Sequence, residues 1–161
     1  MRAALTTFLP TYMTLKGETL WTGGVFLSVL ELSGAAGTLF WGYYSDKIGR
    51  RKALLIIVYA APVLMFLFSV IDGWASLPVL AVLGFFLLGT TPILLALTQD
   101  RGTERPAFFN SMFLTVSFCS EAVALMIAGV MADWIGLEMT FTLSAVISLG
   151  AIPFVFMIKK P

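Results

Sequence analysis

Apolar residues fall along the chain in five long runs, set apart by short polar stretches. The runs cover 20–45, 53–71, 77–98, 107–132 and 139–158. A helix that crosses a hydrocarbon core of ~30 Å needs about 20 predominantly apolar residues, and each run supplies them. Each is also apolar around most of its circumference, as contact with lipid and neighbouring helices requires. Strands are excluded, because the runs are about twice the length of a barrel strand and do not alternate. The pattern therefore predicts an all-α, polytopic membrane helix bundle. Residues 1–15 form a sixth apolar segment, which is shorter. Its 13 uncharged residues from Ala3 to Leu15 would extend only ~20 Å as a helix, too short to span. It lacks the cleavage pattern of a signal peptide, and Pro10 lies inside it. The expectation is a chain that begins part-way through its first helix.

Composition agrees with the pattern and removes most other chemistry. Of 161 residues, 59% are apolar and 12% charged, with mean hydropathy +0.96. Soluble domains run at about 45–50% apolar and ~25% charged. There is no histidine and one cysteine, Cys119. That leaves no Ser-His or Cys-His pair, no histidine or cysteine metal site and no disulfide framework. No enzyme chemistry, cofactor, metal or nucleic-acid partner is expected.

Charge placement predicts the orientation. Successive loops fall on alternate sides. One side holds Lys47, Arg50, Arg51, Lys52, Arg101, Arg105, Lys159 and Lys160, and the other holds only Lys16. Basic loops stay in the cytoplasm. The 47–52 loop, the 100–105 loop and the C-terminus are thus expected to be cytoplasmic. Trp21, Trp74 and Trp134 all fall at the opposite ends, as an interfacial aromatic belt would.

The two halves of the chain echo each other. Gly42-Tyr-Tyr-Ser-Asp46-Lys-Ile48-Gly49 aligns with Gly129-Val-Met-Ala-Asp133-Trp-Ile135-Gly136 at an offset of 87, with four of eight positions identical. Each copy ends one span and opens the next, on opposite sides of the membrane. Three helices plus three in opposite orientation make an inverted-topology repeat.

The first copy continues into Arg50-Arg51-Lys52. At Gly42 to Lys52 the sequence resembles the major facilitator superfamily, whose signature loop G-x-x-x-D-[RK]-x-G-[RK]-[RK] joins the second and third helices of each six-helix half. Every position is filled: Gly42, Asp46, Lys47, Gly49, Arg50 and Arg51. The resemblance implies a secondary transporter that moves a small organic solute or drug by alternating access. It also implies that this cluster latches one conformational state. The 77–98 span lacks the Arg usual in N-terminal halves, and 107–132 lacks an internal proline. The chain is therefore read as a C-terminal half, 1–161, whose partners are the bilayer, an N-terminal half and a small-molecule substrate. A six-helix fragment or accessory protein without transport, and a homodimeric half-transporter, stand as alternatives. Phe8-Leu9-Pro10-Thr11-Tyr12 and the Ala132-Asp133 pair resemble fosmidomycin-resistance-type efflux pumps. The location implied is the cell membrane, a prokaryotic inner membrane.

Apart from the motif, Gly37 and Gly42 suit close helix contacts, and Gly49 a tight turn. Asp46 can pair with Arg50, whereas Arg51 and Lys52 suit an anchor facing anionic lipid. Glu31 and Glu121 are the ionisable residues within the five complete spans. A carboxylate at mid-helix costs at least ~2.5 kcal/mol to insert, so each needs a partner, water or a proton. Both are candidates for proton coupling or substrate contact, Glu31 first, because Ser28, Gly34, Ala35 and Thr38 surround it. Glu121 lies with Ser117, Ala124 and Ala128. Arg2 is a candidate cavity counter-charge or an interfacial anchor. Thr90, Thr91 and Pro92 predict a kink in a cavity helix, with the threonines satisfying the carbonyl that Pro92 frees.

Overall fold

The computed structural model describes residues 1–101 and 105–157. Among them there are helices and turns and no strand. The elements are α1 (Arg2–Leu15), α2 (Leu20–Ile48), α3 (Arg50–Val70), a single 3₁₀ turn (Gly73–Ala75), α4 (Ser76–Leu88), α5 (Thr90–Arg101), α6 (Pro106–Ile135), α7 (Leu137–Leu149) and α8 (Ile152–Met157). Helices α4 and α5 form one span, broken at Gly89, and α7 and α8 form another, broken at Gly150 and Ala151. Among the described residues, five spans are long and apolar enough to cross a membrane. The breaks follow the prolines. Pro92 deprives the Leu88 carbonyl of its helical donor, and Pro153 does the same to Leu149. Helix α3, by contrast, runs unbroken through Pro62.

The repeat is visible in the backbone. Gly49 ends α2 at φ 91°, ψ 129°, and Gly136 ends α6 at φ 81°, ψ 161°. Both amides donate 3.0 Å bonds to carbonyls four residues back, at Ser45 and Ala132. Positive φ with an extended ψ is open to glycine and strained for other residues. Gly49→Ala and Gly136→Ala should therefore each lose ~1–3 kcal/mol of stability, by thermal unfolding of the full-length protein in detergent. A loss at one position and none at the other would break the equivalence.

Two apolar cores sit at different depths. Near the end opposite the motif, Leu5, Leu9, Tyr12 and Met13 of α1 pack among Phe26, Leu30, Met65, Phe68, Leu80, Leu83 and Phe141. Near the motif end, Trp41 packs with Leu54, Ile57, Ile93 and Val155. Helix α2 makes its most extensive contact with α4. Glycines allow that contact: a methyl on Gly37 would drive into the Phe85 backbone, and one on Gly84 into the Leu30 carbonyl. Helix α3 is the most enclosed of the five spans. Helix α6 is the opposite case, with only Ala128 fully buried.

Candidate functional site

The motif forms a charged junction between three helix ends. Asp46 closes α2, Gly49 turns the chain, and Arg50 opens α3 one helical turn later. Arg50 Nε and Nη2 each lie 3.4 Å from Asp46 Oδ1. The same guanidinium donates through Nη1 to Asp100 Oδ2 at the end of α5. Arg50 is mostly buried, whereas both carboxylates are largely exposed. The guanidinium fork suits two carboxylates at once, which an ammonium does less well. The junction thus ties α2, α3 and α5 at one end of the bundle. Asp100, 50 residues from Arg50, is the member that sequence reading missed. Its acidic side chain is visible in the sequence, but nothing local to it names Arg50 as the partner.

The remaining motif residues divide differently from expectation. Lys47 Nζ sits 4.6 Å from the centre of the Tyr43 ring on its own helix. Arg51 lies 5.4 Å from the centre of the Phe156 ring, so it ties the start of α3 to α8. Gly42 is less crowded than expected: a methyl there would meet Pro92 Cβ at 3.8 Å, an ordinary contact. Lys159 and Lys160 lie outside the described residues.

A second group gathers at mid-depth. Arg2 Nη1 donates a 2.9 Å bond to Thr91 Oγ1, just past the Gly89 break. Thr91 lies inside the apolar run of its span, so the Arg2 guanidinium is drawn against that run. Phe8 touches the space beside Gly129. Counting back along the parallel helices α1 and α6 at 1.5 Å per residue puts Arg2 and Glu121 within ~3 Å of the same depth.

The two glutamates occupy unlike surroundings. Glu121 is half-buried on the one stripe of α6 that faces its own bundle, with Phe113, Ser117, Leu125 and Ala128. Ala124 falls off that stripe and is exposed. Glu31 is exposed with Gly24, Ser28 and Ala35, on a face of α2 that this chain leaves uncovered. Gly34, expected beside Glu31, is buried against Leu88 instead.

At the far end Lys16 pairs with Asp72, joining the end of α1 to the turn between α3 and α4. Burial alone would lower the Lys16 ammonium. Asp72 and Tyr12 together outweigh that and hold it above its ordinary value. Trp21, Trp74 and Trp134 are exposed at this end. Among the described residues, no three acidic, histidine or cysteine side chains converge to hold a metal ion.

Comparison with known proteins bears on these arrangements. A family model described as Major Facilitator Superfamily matches residues 1–124. Multidrug resistance protein MdtG of Serratia proteamaculans is 30% identical over 146 residues, 86% of this chain and 35% of that protein. MdtG of Proteus mirabilis is 30% identical over 148 residues, 87% of this chain and 36% of that protein. An uncharacterized protein of Archaeoglobus fulgidus is 29% identical over 121 residues, 73% of this chain and 56% of that protein. The chain spans about a third of the length of the MdtG relatives and about half of the archaeal one. No solved structure matches it. The spans make it a multi-pass membrane protein. With the signature turn folded as one junction and the family model running from α1 well into α6, the chain belongs to the major facilitator superfamily.

Proposed function

We propose that the chain is the C-terminal six-helix half of a secondary transporter that moves a small organic solute, of the multidrug kind, outward across the cell membrane by alternating access. The reading rests on the family, on the multidrug name carried by two relatives, and above all on the Asp46–Arg50–Asp100 junction. Alternating access rocks one repeat unit against another around a midplane site. A junction tying three helix ends at one face biases that equilibrium toward the state in which the ends stay together. The mid-depth Arg2, Thr91 and Glu121 group supplies polar contacts for a solute, and Glu31 faces the missing half or the cavity between halves. The basic face is cytoplasmic under this reading.

The test is Asp100→Asn in the full-length protein, assayed for drug efflux from cells at matched expression. Efflux should fall about tenfold, the effect of shifting a two-state equilibrium by ~1.4 kcal/mol. Full activity in both Asp100→Asn and Asp46→Asn would remove the junction from the mechanism.

A half-size transporter acting as a homodimer has one observation in its favour. The 121 residues matched in the archaeal relative make up 56% of it, too short a protein for twelve spans of about 20 residues. Chemical cross-linking of the membrane-inserted chain to a second copy, with transport in liposomes, would favour that form.

A further inference from the structure

The signature turn leaves one of its cations unused. Arg50, Arg51 and Lys52 crowd the first turn of α3, which carries no acidic residue. That end of a helix is the positive end of its dipole, so cations there need an offset. Arg50 finds it in Asp46 and Asp100, and Arg51 lies over the Phe156 ring. Lys52 is exposed and has no acidic partner among the described residues.

Below Lys52, toward the middle of the span, α3 and α4 leave an open groove of about 660 Å³ between them. Leu55, Ile56, Tyr59 and Val63 form one wall, and Val82 and Phe86 the other. Ala60 also lines it, and its short side chain leaves room. Steps of four, three and four residues put Lys52, Ile56, Tyr59 and Val63 on one stripe of α3. The cation therefore stands at the mouth of the groove, ~10 Å along the axis from Tyr59. Ile56, Tyr59, Val63 and Val82 are all substantially exposed. The Tyr59 hydroxyl is the one polar group of the lining. At that depth it needs an acceptor, because hydrocarbon offers none.

A cation, a hydroxyl and an apolar trough follow one another along this stripe. A diacyl phospholipid carries the complementary groups in the same order: phosphate, ester carbonyls, acyl chains. A soluble anion would leave the trough unfilled, and a bare acyl chain would leave Lys52 unpaired. With no acidic neighbour beside Lys52, nothing there receives a headgroup ammonium, so an anionic lipid fits better than a zwitterionic one. Basic pockets between membrane spans suit such headgroups.

We propose that the α3–α4 groove binds one anionic phospholipid from the leaflet on the motif side. Lys52 takes its phosphate, the Tyr59 hydroxyl donates to an ester carbonyl, and an acyl chain lies along Ile56, Ala60 and Val63 against Val82 and Phe86. The bound lipid offsets the third cation of the turn and bridges α3 to α4. This site is independent of the transport reading.

The test counts bound lipid and needs no transport assay. Delipidated full-length protein in detergent receives phosphatidylglycerol and phosphatidylcholine in equal amounts, and native mass spectrometry measures how many of each it holds. Lys52→Ala should lose one phosphatidylglycerol from the wild-type count, its affinity falling about fivefold, the effect of one basic residue facing an anionic lipid. Lys52→Arg should keep it. Tyr59→Phe should weaken the same lipid about threefold, as loss of one hydrogen bond would. Ala60→Phe, which fills the trough, should displace it with Lys52 intact. Lys47→Ala removes a cation at the same end but on α2, away from the groove, and should leave the count unchanged. The site is refuted if phosphatidylglycerol binding is unchanged in Lys52→Ala, Tyr59→Phe or Ala60→Phe. An equal loss in Lys47→Ala refutes it as well, since the general basicity of that end would then explain the binding. Displacement of phosphatidylcholine in place of phosphatidylglycerol by Lys52→Ala would overturn the anionic assignment.

Discussion

Gly37→Ala in the full-length protein should be among its most destabilising single methyl additions. The α2–α4 contact brings backbone against backbone: a Cβ on Gly37 would sit 2.8 Å from Phe85 Cα and deeper still against the Phe85 carbonyl. No side chain there can rotate away. The two helices must separate, and with them the facing contact of Gly84 with the Leu30 carbonyl and Ser33 Oγ. Overpacking of this kind costs ~1–3 kcal/mol, and in a membrane close approach of small residues is a main source of helix association. Gly42→Ala is the informative contrast. It alters the signature glycine, yet its methyl meets Pro92 Cβ at 3.8 Å. Alanine also favours helix over glycine by up to ~1 kcal/mol. Thermal unfolding followed by fluorescence-detected gel filtration should show a lower midpoint and less monodisperse protein for Gly37→Ala, and near-unchanged behaviour for Gly42→Ala. Equal losses at the two positions would mean that the α2–α4 seam is looser than the backbone indicates.

The contrast between those glycines shows what a single sequence can carry. Spans are written in the local composition, because each helix must satisfy its own backbone in lipid and be apolar over ~20 residues. The turns at Gly49 and Gly136 are equally local, and they stood out through the repeat. Partners across the bundle are another matter. Nothing near Asp100 announces Arg50, and nothing near Gly37 announces Phe85, because helix pairing is fixed by tertiary packing between residues roughly fifty positions apart. The same limit affected the glutamates. A helical face of small residues fits a helix contact, a cavity or an uncovered surface, and sequence alone gave Glu31 and Glu121 similar faces. The fold separates them, with Glu121 turned toward its own bundle and Glu31 away from it. Arg2 shows the same limit. From its place at the start of a short helix it suited either a cavity or an interface, and the structure adds a bond to Thr91 that no local pattern announced.

That separation sharpens the prediction on coupling, which concerns the full-length protein. A Glu→Gln change keeps volume and most hydrogen bonding but removes the capacity to gain and lose a proton. If the transporter is driven by a proton gradient, one of these carboxylates is the natural carrier at membrane depth. Glu31 is exposed in this chain among Gly24, Ser28 and Ala35, a face too small and polar for lipid contact and open to the space where the other half would lie. Under the proposed alternating access, a carboxylate there would meet water from either side as the halves rock. Glu121 has less freedom, since its stripe of α6 packs against the bundle at about the depth of Arg2. Glu31→Gln should therefore insert and fold normally, still bind and exchange substrate, and lose gradient-driven transport by about a hundredfold, in keeping with removal of an essential proton-transfer group. Glu121→Gln should keep more of that transport. Loss confined to Glu121→Gln would move the coupling site to the inner stripe, with Arg2 as its counter-charge. Wild-type gradient-driven rates in both variants would make the two carboxylates structural and send the proton path to residues beyond this chain.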